Sequence, residues 1–174
     1  MRSIPDPGFA GDTGESDPLV SAAMTDVASG APVRRAIVAL QGARLLVPVV
    51  AVLDETGYDE PGRTEPDHAP RAAQHKDADL AVVLLTGRDG RLGMLAFTGM
   101  SALRRWDPQA RPVPVSAVTA AQAALGEGAD ALVVDVAGPV MVPVAGADLR
   151  AVAAGHRLVR VGKHYAWVGG SDQV

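Results

Sequence analysis

The chain has no cysteine among its 174 residues, which removes disulfides, thiolate nucleophiles and cysteine-ligated zinc together. That absence fits a reducing compartment. Aromatic residues are scarce, two each of Phe, Tyr and Trp, so a stacking platform for single-stranded nucleic acid has little to draw on. Lysine is scarcer still, 2 residues against 14 arginines, and with abundant alanine this reads as GC-rich coding rather than an arginine patch. The net charge of −4 lacks the basic excess of nucleic-acid binders, so nucleic acid is not an expected partner. Long apolar runs are missing too. Val33 to Leu53 comes closest, but Arg34, Arg35 and Arg44 interrupt it well short of the roughly 20 residues that span a bilayer. The opening Met1–Phe9 is broken by Pro, Gly and Asp and has no apolar targeting stretch. The expectation is a cytoplasmic protein without a membrane segment.

What the sequence does contain is one unit written twice: apolar strand, tight turn, apolar strand, short helix. The first copy runs through Leu80–Thr86, the turn Gly87-Arg-Asp-Gly90, Gly93–Phe97 and the helical Ser101–Trp106. The second runs through Ala131–Asp135, Ala137-Gly138-Pro139, Val140–Val144 and Gly146–Val152. Strands that read as nearly unbroken apolar runs imply a sheet covered on both faces. The fold expected is a single α+β domain with a mixed, mostly antiparallel sheet of about five to seven strands and packed helices. A core of this size buries about 70% of its unfolded surface, enough to fold without metal or disulfide.

Around these units the chain divides by composition. Residues 1–16 hold little that could be buried and read as a disordered tail. The ordered domain is expected over 17–168, opening at Asp17-Pro18, an N-cap acid followed by proline at the first helical position. A second helix is expected over 31–42, with strand as the competing assignment. Arg44–Leu53 reads as the first strand, with Pro48 marking an edge or a bulge. Residues 54–79 are acidic, proline-rich and poor in large apolar side chains, and are expected to form a mobile excursion. A short strand at Pro112–Val115 and a capped helix at Ser116–Leu125 lead into the second unit. Arg157–Val161 and His164–Val168 flank Gly162-Lys163, the two-residue spacing of a type II′ hairpin over 157–168, and 169–174 should fray.

Each sign of chemistry has a plainer explanation. Gly87-Arg-Asp-Gly90 joins two strands, and Gly126-Glu-Gly128 leaves a helix for a strand, whereas a phosphate loop must deliver a helix N-terminus. Ser101 stands near a strand-to-helix turn but lacks the second glycine of a nucleophile elbow, so it reads as a surface or capping serine. His68 and His75 fall in the excursion while His156 and His164 flank the terminal hairpin, which makes no ligand set. Arg150, Arg157, Arg160 and Lys163 with Tyr165 and Trp167 form a basic, aromatic cluster that reads as a charged edge hairpin. Trp106, closing Leu103-Arg-Arg-Trp106-Asp-Pro108, is expected to anchor its helix to the sheet or to form an interface hot spot with its neighbouring arginines.

Several segments together resemble a known family. Leu45–Ala51, Leu85–Arg91, Ala96-Phe-Thr98, Leu103–Trp106 with Ala110–Val115, and Gly128–Asp135 with Gly138–Val140 recur in the order of the SseB family, in its actinobacterial form. The resemblance covers about Leu19 to Arg150 and leaves the terminal hairpin outside. One departure is Gly93–Gly99, where relatives read Ala-Leu-Pro before Phe-Thr-Ser. The family takes its name from a serine-sensitivity phenotype and has been associated with type III secretion. It has no established activity, cofactor or catalytic residue, so the resemblance implies a fold and leaves the function open.

With no catalytic, cofactor or metal site legible, the expected function is a non-enzymatic protein-interaction or regulatory module of unknown partner, with Arg104, Arg105 and Trp106 as its surface. The alternative is a small-molecule binder or enzyme that uses Thr98, Arg104, Arg105 and Asp135 around a cleft between the two hairpin units.

Overall fold

Asp17 opens the first helix, α1 (Pro18–Ala28), its carboxylate accepting from the Leu19 N–H at 2.7 Å while proline fills the first turn, where no donor is needed. This is a computed structural model that describes residues 9, 11–51, 71–74 and 80–169. Gly30 takes φ +98, and the chain turns into α2 (Arg34–Leu40), which buries Ala36, Ile37 and Leu40 on one face. Helix, not strand, therefore holds in the segment where both were open.

The main sheet comprises β1 (Arg44–Ala51), β2 (Arg71–Gln74), β3 (Leu80–Thr86), β4 (Leu92–Ala96), β5 (Arg111–Ser116), β6 (Ala131–Val134) and β7 (Val142–Ala145). Its order is β5-β1-β3-β4-β6-β7, with β2 also pairing β3. Among the described strands every pair is antiparallel except β4 with β6. This is the expected α+β domain. Of the excursion expected over 54–79, Arg71–Gln74 forms β2 and the rest lies outside the described residues.

The prolines in this sheet follow from hydrogen-bond parity. Leu46 exchanges two bonds with Phe97, each 2.8 Å, so its N–H and C=O point away from β5. Its partner Pro114, and the pair Pro48 with Pro112 two positions along, share that parity. Both β5 prolines therefore turn their missing donors toward the outer edge, where no ladder needs them. Pro48 was expected at an edge or bulge, but β1 is an inner strand. The proline falls between the Phe97 bridge and the β3 pairing, which begins at Val49.

Alternation along the strands feeds two cores. On one face Leu45, Val47, Leu84, Met94, Leu132 and Val134 pack against α1, α2, α4 (Ala117–Gly126) and α5 (Gly146–Ala153). Four buried alanines, Ala117, Ala120, Ala121 and Ala124, let α4 lie close to the strands. On the other face Leu46, Val83, Leu95 and Phe97 receive, among the described helices, only α3 (Met100–Trp106), through Ala102 and Leu103. Among the described residues, cover on both faces thus holds for β3 and β4 but not for the second hairpin. Val133 on β6 is only half-buried, Pro143 on β7 is exposed, and Met141 is 50% exposed.

Two attachments complete the domain. β8 (Arg157–Val161) and β9 (His164–Val168) form a separate hairpin, with φ +60 at Gly162 as a type II′ turn requires. Gln41 holds it by donating to the His156 carbonyl at 2.6 Å and accepting from the Leu158 N–H at 2.9 Å. At the other end, part of the expected tail is fastened down. Arg44 pairs with Asp12 and donates to the carbonyls of Glu15 and Thr98, both at 2.7 Å. Gly14 accepts from the Met100 N–H at 2.8 Å, so residues 12–16 strap the start of α3.

Candidate functional site

The sheet's one parallel pair among the described strands sets the first feature. β4 runs on into Phe97 and Thr98, and β6 runs on into Asp135, so both carboxyl ends arrive side by side. The Asp135 N–H donates to the Ala96 carbonyl at 3.0 Å, and the residue then takes φ +55, a left-handed conformation that aspartate tolerates better than most. That turn points its carboxylate back at Thr98. One oxygen accepts from the Thr98 N–H at 2.8 Å and the other from the Thr98 hydroxyl at 2.7 Å. Both residues are buried. The carboxylate is thus a strut between the two hairpin units.

The strut opens onto a cleft of about 400 Å³ lined by Ser16, Ser21, Thr98, Ser101, Arg105 and Asp135, among others. Three of the four residues named for the small-molecule alternative meet here; Arg104 does not. No histidine among the described residues lines the cleft with Ser101, so the elements of a hydrolytic triad are not assembled there.

Burial pushes the Asp135 carboxyl above the ordinary carboxylate range, against the pull of its two bonds from Thr98 and of the Arg105 charge. A carboxyl whose folded pKa is raised contributes most below its unfolded value and loses that contribution as pH rises through the folded one. Asp12 works in the opposite sense: its bond from Arg44 holds it below the ordinary range, so its contribution is present at neutral pH and lost on acidification. Asp135→Asn removes the first effect alone. Paired denaturation curves should show wild type gaining on Asp135→Asn as pH falls from about 7 to 4. A gap that is constant or moves the other way would contradict a burial-dominated Asp135.

The second feature lies on the other flank of α3. Trp106 rests against Phe97 with ring centroids 5.5 Å apart, the expected anchor of helix to sheet. It also lines a hollow of about 420 Å³ with Pro48, Val49, Val50, Val83 and Arg111. Asp107 ends the helix and accepts from the Gln109 N–H at 2.8 Å, a turn that sends the chain into β5. The expected trio is therefore divided: Trp106 lines the hollow, Arg105 the cleft, and Arg104, exposed on α3, lines neither. Among the described residues none hydrogen-bonds the side chains of Arg104, Arg105 or Arg111.

The remaining candidates serve the fold. Gly87–Gly90 is a hairpin turn closed by the Gly87 N–H on the Arg91 carbonyl at 2.8 Å, and Gly128 leaves α4 at φ +71. In the terminal cluster the Trp167 indole donates to Asp148 at 3.1 Å, beside the Arg34 bridge to the same carboxylate at 3.0 Å, while Arg157, Arg160 and Lys163 are exposed. His156 is half-buried and His164 exposed; His68 and His75 lie outside the described residues. Among the described residues no group of three metal-ligating side chains converges, and no helix is long and apolar enough to cross a membrane.

An α+β domain built from two hairpin–helix units with a strut between them is the class that fold and site define. The SseB protein N-terminal domain matches residues 20–151, well over half of the chain, and the chain belongs to the SseB family. Neither the curated proteins nor the solved structures hold a match to it. The terminal hairpin lies beyond the matched residues. The glycine at position 99 meets a local requirement. A Cβ there would stand 2.8 Å from the Ser16 backbone nitrogen, so the strap over α3 leaves room only for hydrogen.

Proposed function

We propose that this SseB-family chain is a non-enzymatic interaction module that docks an acidic partner segment on the Trp106 hollow. The observation that carries this reading is a tryptophan fixed on its inner side by Phe97 and lining an apolar hollow on its outer side. A ring already held in place loses little freedom when a partner covers it. Tryptophan and arginine are the residues that most often carry interface energy; Arg111 lines the hollow and Arg104 stands exposed two residues before Trp106. On a chain of net charge −4, these guanidinium groups, which no described residue hydrogen-bonds, suit carboxylates, which they bind bidentately. A cytoplasmic setting agrees with the lack of cysteine.

The test is affinity purification followed by titration of the recovered partner. Arg104→Glu combined with Arg111→Glu should weaken binding more than tenfold, about 1.4 kcal/mol. Val38→Arg, on the exposed side of α2, should leave it unchanged, as should Ser101→Ala and His164→Ala. Full binding by the charge-reversed chain would overturn the reading. A specific observation favours a second role as well: Thr98, Ser101, Arg105 and Asp135 line one cleft, which suits a small-molecule site.

A further inference from the structure

The cleft between α1 and α3 has the position and the polarity of a ligand site. It lies beyond the carboxyl ends of β4 and β6, where the chain leaves one strand into α3 and the other into a reverse turn. Such crevices at the carboxyl ends of parallel strands are where open sheets hold small molecules. Ser101 and Arg105 are four residues apart on α3 and so share the helix face that borders it.

Its hydrogen-bonding character is divided. The Thr98 hydroxyl gives its proton to Asp135, so what Thr98 Oγ1 offers the cleft is lone pairs. An ionised Asp135 likewise only accepts. This end of the cleft therefore favours a donor. Arg105 supplies the reverse: up to five N–H donors, none bonded to a described residue. Arg105 and Asp135 line the same cleft of about 400 Å³, so both ends face one compact molecule bound there. Met24, Ala102 and Val140 add an apolar stretch to a lining that also carries the hydroxyls of Ser16, Ser21, Thr25 and Ser101.

We infer that this cleft binds an aliphatic α-amino acid, its carboxylate on Arg105, its ammonium on Thr98 Oγ1 and Asp135, and its side chain against Met24, Ala102 and Val140. A simple anion satisfies Arg105 but brings more acceptors to the accepting end, and a simple amine leaves Arg105 without a partner. The inference rests on the second reading of the cleft and is independent of the Trp106 hollow.

Amide chemical shifts of the whole chain, followed by NMR during titration, test it with four probes: L-valine, L-alanine, isovalerate and isobutylamine. L-Valine should shift Thr98, Ser101 and Arg105 saturably, with L-alanine weaker. Isovalerate, which lacks the amine, and isobutylamine, which lacks the carboxylate, should each bind at least tenfold more weakly than L-valine. Arg105→Ala should weaken L-valine at least tenfold while keeping the parental unfolding midpoint, and Arg104→Ala should change neither. Absence of saturable shifts with L-valine overturns the inference, as does isovalerate binding as tightly as L-valine or undiminished binding by Arg105→Ala. Partner binding that persists in any of those outcomes leaves the hollow's role standing.

Discussion

Phe97→Ala is expected to lower the unfolding free energy by about 3–5 kcal/mol, the largest single loss in the domain. The ring is 0% exposed and sits among Leu46, Val83, Leu95 and Leu103, so truncation leaves a cavity with walls fixed by three strands and a helix. The loss extends to α3. A seven-residue helix has too few turns to hold itself in water, and α3 depends on Ala102, Leu103 and Trp106 gripping this face. Removing Phe97 takes away the surface on which Trp106 rests. Urea unfolding followed by circular dichroism measures the effect, and a loss below about 1 kcal/mol would mean that this smaller core is not closely packed.

Leu84→Ala and Val133→Ala should differ sharply, although each lies centrally in an unbroken apolar strand. Leu84 is 4% exposed in the larger core, and its truncation should cost about 2–5 kcal/mol. Val133 points to the face that α3 leaves uncovered, where with Met141 and Pro143 it lines a groove of about 380 Å³. Truncating it should cost about 1 kcal/mol or less. Val134, next in the strand and 0% exposed, is the matched control: its two lost methyl groups should cost about 2 kcal/mol. Equal losses at Val133 and Val134 would mean that the groove is covered in solution.

That contrast shows where reading the sequence stops. The run Ala131-Leu-Val-Val134 marks a strand correctly, but an unbroken apolar run carries no period to say that one of its faces lacks a helix. Cover depends on α3 being short and on where the sheet places it. The helices were legible from their punctuation: Asp17-Pro18 capped α1, Ser116 capped α4, and Gly155 closed the turn after α5. Trp106 was legible as an anchor because a lone aromatic beside Leu103 has few other uses.

The strap was not legible. Asp12–Ser16 is polar and glycine-rich, and its fastening comes from Arg44 and the Met100 N–H, contacts that no local pattern encodes. The cleft was legible only in part. Thr98, Arg105 and Asp135 stood out as polar groups at the ends of apolar elements. Their meeting depends on β4 and β6 lying side by side in parallel, a non-local pairing across the whole of α3, β5 and α4. Ser16 and Ser21 reach the cleft through the strap and α1, and carried no cue of their own.

The central claim is that a partner covers the Trp106 hollow, and backbone hydrogen exchange of the full chain with and without the recovered partner tests it most directly. Protection is predicted at 104–111 and at 48–50, with the terminal hairpin at 157–168 exchanging as it does in the free chain. Protection confined to that hairpin or to α2, with 104–111 unchanged, would contradict the account.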